Sequence, residues 1–221
     1  MATRRVQTVV EVALHRHGRT LAEEAGITLR DTPAPLWQLL VLSLLLSARI
    51  RSSIAVTTAR ELFRDGCRTP AGTAGTTWQQ RVDALGRGGY RRYDERTSTQ
   101  LGELAQRVLG DHGGDLRRMR DRAGSVRSLE ESLRSFTGIG PAGAAIFCRE
   151  VQGVWPQVAP YVDDLVAEGA RRLGLPDSPA GLSGLVPPED LPRLAAACVR
   201  AARDEAVVDD VRTATAGRND A

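Results

Sequence analysis

Apolar residues recur along this chain at the 3.6-residue spacing of helices and almost nowhere with the alternation of strands. Val6, Val9, Val10, Ala13 and Leu14 share one face of residues 3–17, with arginines opposite. Gly18 and Gly26 bracket a short connection, after which Pro33 and Pro35 open an apolar helix running to Ala48. Further helices are predicted over 52–63, 78–85, 93–109, 128–136, 141–152 and 163–173, with a short one over 115–121 and one or two more over 188–210. Glycines stop several of them, at Gly66, Gly86, Gly113–Gly114 and Gly174, and residues 69–76 read as a Gly/Thr/Pro loop. The fold class this predicts is all-α.

The apolar run from Leu36 to Ala48 contains Gln38, Ser43 and Ser47 and is too short to span a bilayer, so it reads as a buried core helix. With no secretion-type signal in its charged, amphipathic N-terminal segment, the chain is expected to be soluble and cytoplasmic. Its 221 residues, 42% hydrophobic, suffice for one large domain or two small ones sharing a cleft. Trp37, Trp78 and Trp155 are expected to be packing residues.

The formal net charge is +3 and the pI about 9.1, which permits a polyanionic partner. All 30 basic side chains are arginines, so no side-chain amine is available to form a Schiff base. Cys67, Cys148 and Cys198 are scattered, without a CxxC pair, and read as small buried apolar residues rather than cluster ligands. His15, His17 and His112 complete no metal site with them. The Arg117–Arg118–Arg120–Arg122 cluster reads as a solvated helix face with some capacity for phosphate contact.

The most informative segment is Leu133-Arg-Ser-Phe-Thr-Gly-Ile-Gly-Pro-Ala-Gly-Ala-Ala-Ile-Phe-Cys148. Two helices meet at Gly138-Ile139-Gly140, and Pro141 starts the second. Glycine permits positive φ and close approach of a ligand. The first amides of the second helix lack intrahelical partners and sit at the positive end of its dipole, a natural place for a phosphate. Ile139 is expected to bury between the helices, while Gly143, Ala144 and Ala145 let them approach. An ordinary glycine corner between helices is the alternative. Contact of this kind positions a protein on DNA without reading sequence.

Here the chain resembles the helix-hairpin-helix DNA glycosylase superfamily, and more closely its endonuclease III-like branch. Leu44-Leu-Leu-Ser-Ala-Arg49 looks like the family's Leu-Leu-Ser-Ala-Gln stretch, and Gly88-Gly89-Tyr90 resembles its Gly-x-Tyr region. Val162-Asp163 with Arg172-Leu173-Gly174 is similar to the Val-Asp…Arg-Leu-Gly pattern that follows the hairpin. The resemblance spans roughly Leu36 to Leu175. It implies two helical subdomains flanking a DNA-binding cleft: residues 33–150 as a helical barrel with the hairpin at about 128–152, and residues 1–32 plus 151–221 as a second domain formed by both termini.

The family's indispensable acid falls on Asp163, with Asp164 as understudy; either also sits where a helix N-cap would, which explains an acid without catalysis. Where lysine-bearing members carry that residue, this chain has Ala142, and where adenine-excising relatives carry a glutamate it has Leu45. The family's four-cysteine iron–sulfur motif is absent. The resemblance therefore implies a monofunctional glycosylase of base excision repair without lysine-dependent lyase activity, acting on double-stranded DNA that contains a damaged or mismatched base. The missing acids favour labile bases such as alkylated purines. A monomer is expected, with no membrane partner and no cofactor beyond a monovalent cation at the hairpin.

Arg49 stands where the family places a wedge glutamine that enters the stack beside the extruded nucleotide; a solvated helix-end arginine is the alternative, and Arg51 is a weaker candidate for the same work. DNA contact is assigned to Gly138, Ile139, Gly140, Ala142 and Gly143 with those two arginines. Tyr90 and Tyr93 either line the base pocket or belong to the core. Two other readings stay open: a non-catalytic helix-hairpin-helix DNA-binding protein derived from a glycosylase, and a helical scaffold without a nucleic-acid role.

Overall fold

The computed structural model describes residues 2–219, with side chains over residues 4–217. Among the described residues there is no strand: the protein is all-α. Its helices are α1 (Ala2–His17), α2 (Leu21–Glu24), α3 (Pro33–Leu46), α4 (Ser52–Arg64), α5 (Pro70–Gly75), α6 (Trp78–Arg87), α7 (Asp94–His112), α8 (Arg117–Arg122), α9 (Val126–Arg134), α10 (Pro141–Val151), α11 (Asp164–Arg172), α12 (Pro179–Ser183), α13 (Leu191–Arg203) and α14 (Glu205–Asn219). Contacts divide them into two compact units: residues 22–148, and residues 1–21 with 149–221. The division thus falls inside α10, and residues 22–32 belong with the central segment rather than with the termini. None of the described helices is long and apolar enough to cross a membrane.

The central unit is organised by α3. Every residue from Leu36 to Leu45 is buried, so this helix is apolar all round and has protein on every side. Its few polar side chains are absorbed locally: Trp37 donates to the Cys67 carbonyl at 3.1 Å, Ser43 to the Leu39 carbonyl at 2.9 Å and Ser47 to the Ser43 carbonyl at 2.8 Å. Helix α4 packs on α3, α6 on α4, and α7 on both α5 and α6. Each large side chain buried this way contributes on the order of 1.5–3 kcal/mol.

Residues 69–76, expected as a loop, form helix α5. Thr69 caps it by accepting from the Gly72 amide at 2.9 Å, and Pro70 occupies its first turn, where a missing N–H costs nothing. The composition is loop-like but the cap and the proline are helix-start signals, and they prevail. The buried Arg81 then ties this helix to its neighbours. Its Nε donates to the Ser98 carbonyl at 3.0 Å, and one terminal nitrogen donates to the Thr76 carbonyl at 2.7 Å and the Thr76 hydroxyl at 3.1 Å. Trp78 departs from its expected packing role: it is 42% exposed, with Nε1 donating to Thr99 Oγ1 at 3.1 Å.

The other unit has its own core, built from Val10 and Ala13 on the expected face of α1 and Val12 beside it, from Val166 and Ala170 of α11, and from Leu194, Ala197, Cys198 and Ala201 of α13, with Val208 and Val211 of α14. Helix α13 is central here, touching α1, α11 and α14. The crossing of α11 over α13 depends on Gly169, where an added Cβ would lie 1.8 Å from the Cys198 carbonyl oxygen. All three cysteines are buried free thiols, and burial pushes Cys198 up to about 12, which leaves it without nucleophilic character at neutral pH.

Two stability tests follow from these contacts. Gly169→Ala forces α11 away from α13 and is expected to cost about 3 kcal/mol, whereas Gly110→Ala, on the exposed side of α7 with open space around it, should gain about 0.5–1 kcal/mol in urea unfolding. Arg81→Met removes the bonds to Ser98 and Thr76 and is expected to cost about 2–3 kcal/mol, read as a fall of ~5–10 °C in the midpoint of thermal unfolding.

Candidate nucleic-acid interface

The hairpin predicted from Gly138-Ile139-Gly140 is present in the central unit. Ser125 starts α9 with a capping box to Ser128, and Leu129, Leu133 and Phe136 anchor that helix in the core. The chain turns at Gly138, whose φ of +90° is left-handed and disfavours any side chain; a Cβ there would also meet Leu44 Cδ1 at 2.6 Å. Ile139 is buried, as expected, so it pins the corner rather than meeting a ligand. The first intrahelical bond of α10 runs from the Ala144 amide to the Gly140 carbonyl at 3.0 Å. The amides of Ala142 and Gly143 precede it in the first turn and have no intrahelical acceptor.

The glycines of this motif serve different ends. Gly143 is buried, and a Cβ on it would lie 2.1 Å from Ser47 Oγ and 3.2 Å from the Ser43 carbonyl oxygen. It was expected among the DNA-contacting residues; its demonstrable use is to let α10 lie directly on α3. Gly140 is the opposite case. Its φ is not left-handed and nothing lies within 4 Å of a Cβ placed there, so the fold itself does not require glycine at this position. Ala142 is exposed on the first turn of α10.

Beside the corner lies a pocket of about 220 Å³, lined by Leu44 of α3 and by Ser47, Ala48 and Arg49 just after that helix, by Tyr90 and Tyr93, by Arg96, Thr97 and Gln100 of the first two turns of α7, and by Gly138. Sites for drug-sized ligands run to roughly 300–1,000 Å³, so this one is on the scale of a single planar heterocycle. It gathers four residues singled out from the sequence: Arg49, Tyr90, Tyr93 and Gly138. Arg51 lies outside it, exposed ahead of α4.

Tyr90 belongs to the core and also lines this pocket. It is 1% exposed, its hydroxyl donates to the Leu45 carbonyl at 2.8 Å, and burial pushes its phenol up to about 12. It is a core residue whose ring forms part of the pocket floor. Tyr93 is half-buried, edge-on to Tyr90 with ring centroids 6.3 Å apart, and the Arg92 guanidinium sits 5.5 Å from its ring centre. Arg96 and Gln100 were not foreseen. Their signal was available in the spacing, because Tyr93, Arg96, Thr97 and Gln100 follow the i, i+3, i+4, i+7 pattern of one helix face.

Asp163 lies in the other unit. It caps α11, with Oδ1 accepting from the Val166 amide at 3.0 Å. Its Oδ2 lies 3.6 Å from Nε of Arg149, whose side chain is 10% exposed against 21% for Asp163. Burial pulls the Arg149 guanidinium below its usual value, and the Asp163 carboxylate opposes that pull. The carboxylate is therefore neither sealed in packing nor free to swing. Asp164, the next residue, is exposed on the first turn of α11. The connection before them is held by Gln152, whose Oε1 accepts from the Tyr161 amide at 2.9 Å. Arg149 was also missed: it sits at the end of an apolar helix, and nothing local marks an ion-pair partner fourteen residues away.

Among the described residues no three His, Cys, Asp or Glu side chains are grouped to hold a metal ion. In the arginine cluster of α8, Arg117 pairs with Asp115 at 2.7 Å and Arg120 with Asp31 and Asp121 at 2.8 Å, while Arg118 and Arg122 are exposed.

No family model matches the sequence, and no curated protein does. Solved structures similar to this chain include a trapped endonuclease III–DNA covalent intermediate in an estranged-adenine complex, 17% identical with a TM-score of 0.47 over 82% of each chain. A non-covalent endonuclease III–DNA complex is 18% identical with a TM-score of 0.48 over 81% of each chain.

Proposed function

We propose that this protein is a monofunctional DNA glycosylase: it binds double-stranded DNA through the hairpin, draws a damaged or mismatched base out of the stack, and hydrolyses its N-glycosidic bond. The observation that carries this reading is the sharing of Gly138 between a glycine corner suited to a phosphate and a pocket on the scale of one base. Arg49, exposed at the pocket's rim, is the side chain assigned to fill the vacancy left in the duplex. Gly140, which the fold does not need as glycine, is explained by close approach of the DNA backbone.

In the proposed reaction the bond between C1′ and the base nitrogen breaks with its electron pair leaving on the base, and positive charge builds on the deoxyribose. Asp163 is assigned to stabilise that charge and to take a proton from the water whose oxygen bonds to C1′. The base leaves with a proton, and an abasic sugar remains. Among these residues no lysine is available to form a Schiff base with that sugar, so strand cleavage by that route is not part of the proposal.

A second reading, a DNA-binding protein that does no chemistry, is favoured by one observation: both oxygens of Asp163 already have structural work, one in the helix cap and one beside Arg149. A carboxylate has about four acceptor positions, so this occupation leaves room for a water.

Substitution separates the readings. Asparagine caps helices about as well as aspartate, so Asp163→Asn is expected to cost no more than about 2 kcal/mol while lowering base release by ~100-fold or more. The assay is a panel of lesion-bearing and mismatched duplexes treated with alkali to cut abasic sites; release that survives Asp163→Asn removes this residue from the chemistry, and no release from any duplex by the wild type favours the second reading. At the corner, Gly140→Ala should leave the unfolding midpoint within about 0.5 kcal/mol of the parent and weaken binding to duplex DNA several-fold, with a shallower salt dependence. Gly138→Ala should lose about 1–3 kcal/mol of stability as well.

A further inference from the structure

The pocket beside the hairpin has an unusual charge inventory. Its lining holds two guanidinium groups, Arg49 and Arg96, and no carboxylate. Both arginines are exposed at its edge, and neither makes an ion pair or a hydrogen bond among the described residues. Asp94 and Glu95, on the same turn of α7, are not part of the lining, and the Glu95 amide is instead bonded to Asp94 Oδ1 at 2.8 Å. One face of the Tyr93 ring is already occupied by the Arg92 guanidinium. The Tyr90 hydroxyl is committed to the Leu45 carbonyl. Gln100 is the remaining long polar side chain; its amide lies against Gly138, where a Cβ would meet Cδ and Oε1 at 2.9 Å, and it makes no hydrogen bond among the described residues.

We infer that this pocket is a charge filter: Arg96, aided by Arg49 while it stands at the rim, disfavours bases that carry a positive charge, and Gln100 hydrogen-bonds the edge of a neutral one. The inference rests on reading the pocket as the site of the extruded base. A side-chain amide offers one donor and one acceptor side by side, which matches the adjacent donor and acceptor on the edge of a neutral heterocycle. A purine alkylated at N3 or N7, whose ring is cationic, meets two like charges and no compensating acid in the pocket lining. Lability of the glycosidic bond alone favours such alkylated bases, as the sequence suggested; the charges around the pocket oppose them. Because both arginines are exposed, water and salt screen the repulsion, and the discrimination is expected to be about tenfold rather than absolute.

Inosine and 7-methylinosine test this at a pH acidic enough to keep the N1 proton of the methylated ring, where they differ only by a methyl group and a positive charge. Each is titrated into the full chain at low ionic strength, with amide and side-chain NMR shifts reporting both affinity and place. The wild type is expected to bind inosine about tenfold more tightly, with shifts centred on Tyr93, Arg96 and Gln100, and the ratio should shrink as salt is added. Arg96→Glu should reverse the preference, Arg96→Ala should reduce it, and Gln100→Leu should weaken both nucleosides, because they share the edge it would bond. Equal binding of the two nucleosides by the wild type, a ratio unmoved by Arg96→Glu, or no binding of either overturns the filter. Base release from duplex DNA is scored separately: a preserved ratio without any release overturns the glycosylase reading and leaves the filter standing, while release without a ratio does the reverse.

Discussion

The central unit depends on one very close approach, that of α10 to α3 at Gly143. Only hydrogen fits between the α10 backbone and Ser47 Oγ, and that contact fixes where the second helix of the hairpin begins. From it follow the position of Gly138 over Leu44, the burial of Ile139, and the meeting of the hairpin with the C-terminal end of α3. The pocket is a by-product of this geometry: helix α3 ends at Leu46, and Ser47, Ala48 and Arg49 supply one wall before α4 begins. A core contact made for packing thus sets the spacing between a phosphate-sized corner and a base-sized cavity.

Much of this was legible in the sequence because the relevant signals are local. The helices were readable from period, proline and glycine; α7, for instance, ends where Gly113 and Gly114 take positive φ. The hairpin was readable because its glycine, apolar, glycine, proline order has a direct backbone meaning. What escaped depends on partners distant in sequence. Arg81 looks like any surface arginine of an amphipathic helix, yet it is buried because carbonyls at Ser98 and Thr76 converge on it. Trp78 looks like a core residue, yet it stands at the first position of α6 with part of its ring in solvent. Arg149 acquires its meaning only when the chain returns to bring Asp163 within 3.6 Å.

An all-arginine chain distributes its positive charge in a particular way. Guanidinium groups fork and pair readily with carboxylates, and most of the clusters visible in the sequence are neutralised like that, as with Arg87 beside Glu61 and Asp65 or Arg171 beside Glu168 and Asp177. A cluster of arginines in sequence is therefore a poor guide to a basic surface. The α8 group is the clearest case, since its neighbours Asp31, Asp115 and Asp121 absorb much of its charge. The guanidinium groups that lack such partners carry more information, and Arg49 and Arg96 stand together at the pocket.

Asp163 raises the question of whether a structural cap can also do chemistry, and the physical requirements of the two roles overlap. A cap needs a short side chain fixed in one rotamer with an oxygen on the helix amides, which is what Val166 provides. A group meant to meet a developing positive charge also needs a fixed rotamer, because reorganising a carboxylate during reaction costs part of what it contributes. Arg149 restrains the second oxygen without saturating it, at 3.6 Å rather than at hydrogen-bond distance. Partial exposure of the carboxylate is needed by the chemical role and not by the cap, since a capping oxygen works as well when covered. That residual exposure, more than the identity of the residue, is what makes Asp163 a candidate acid.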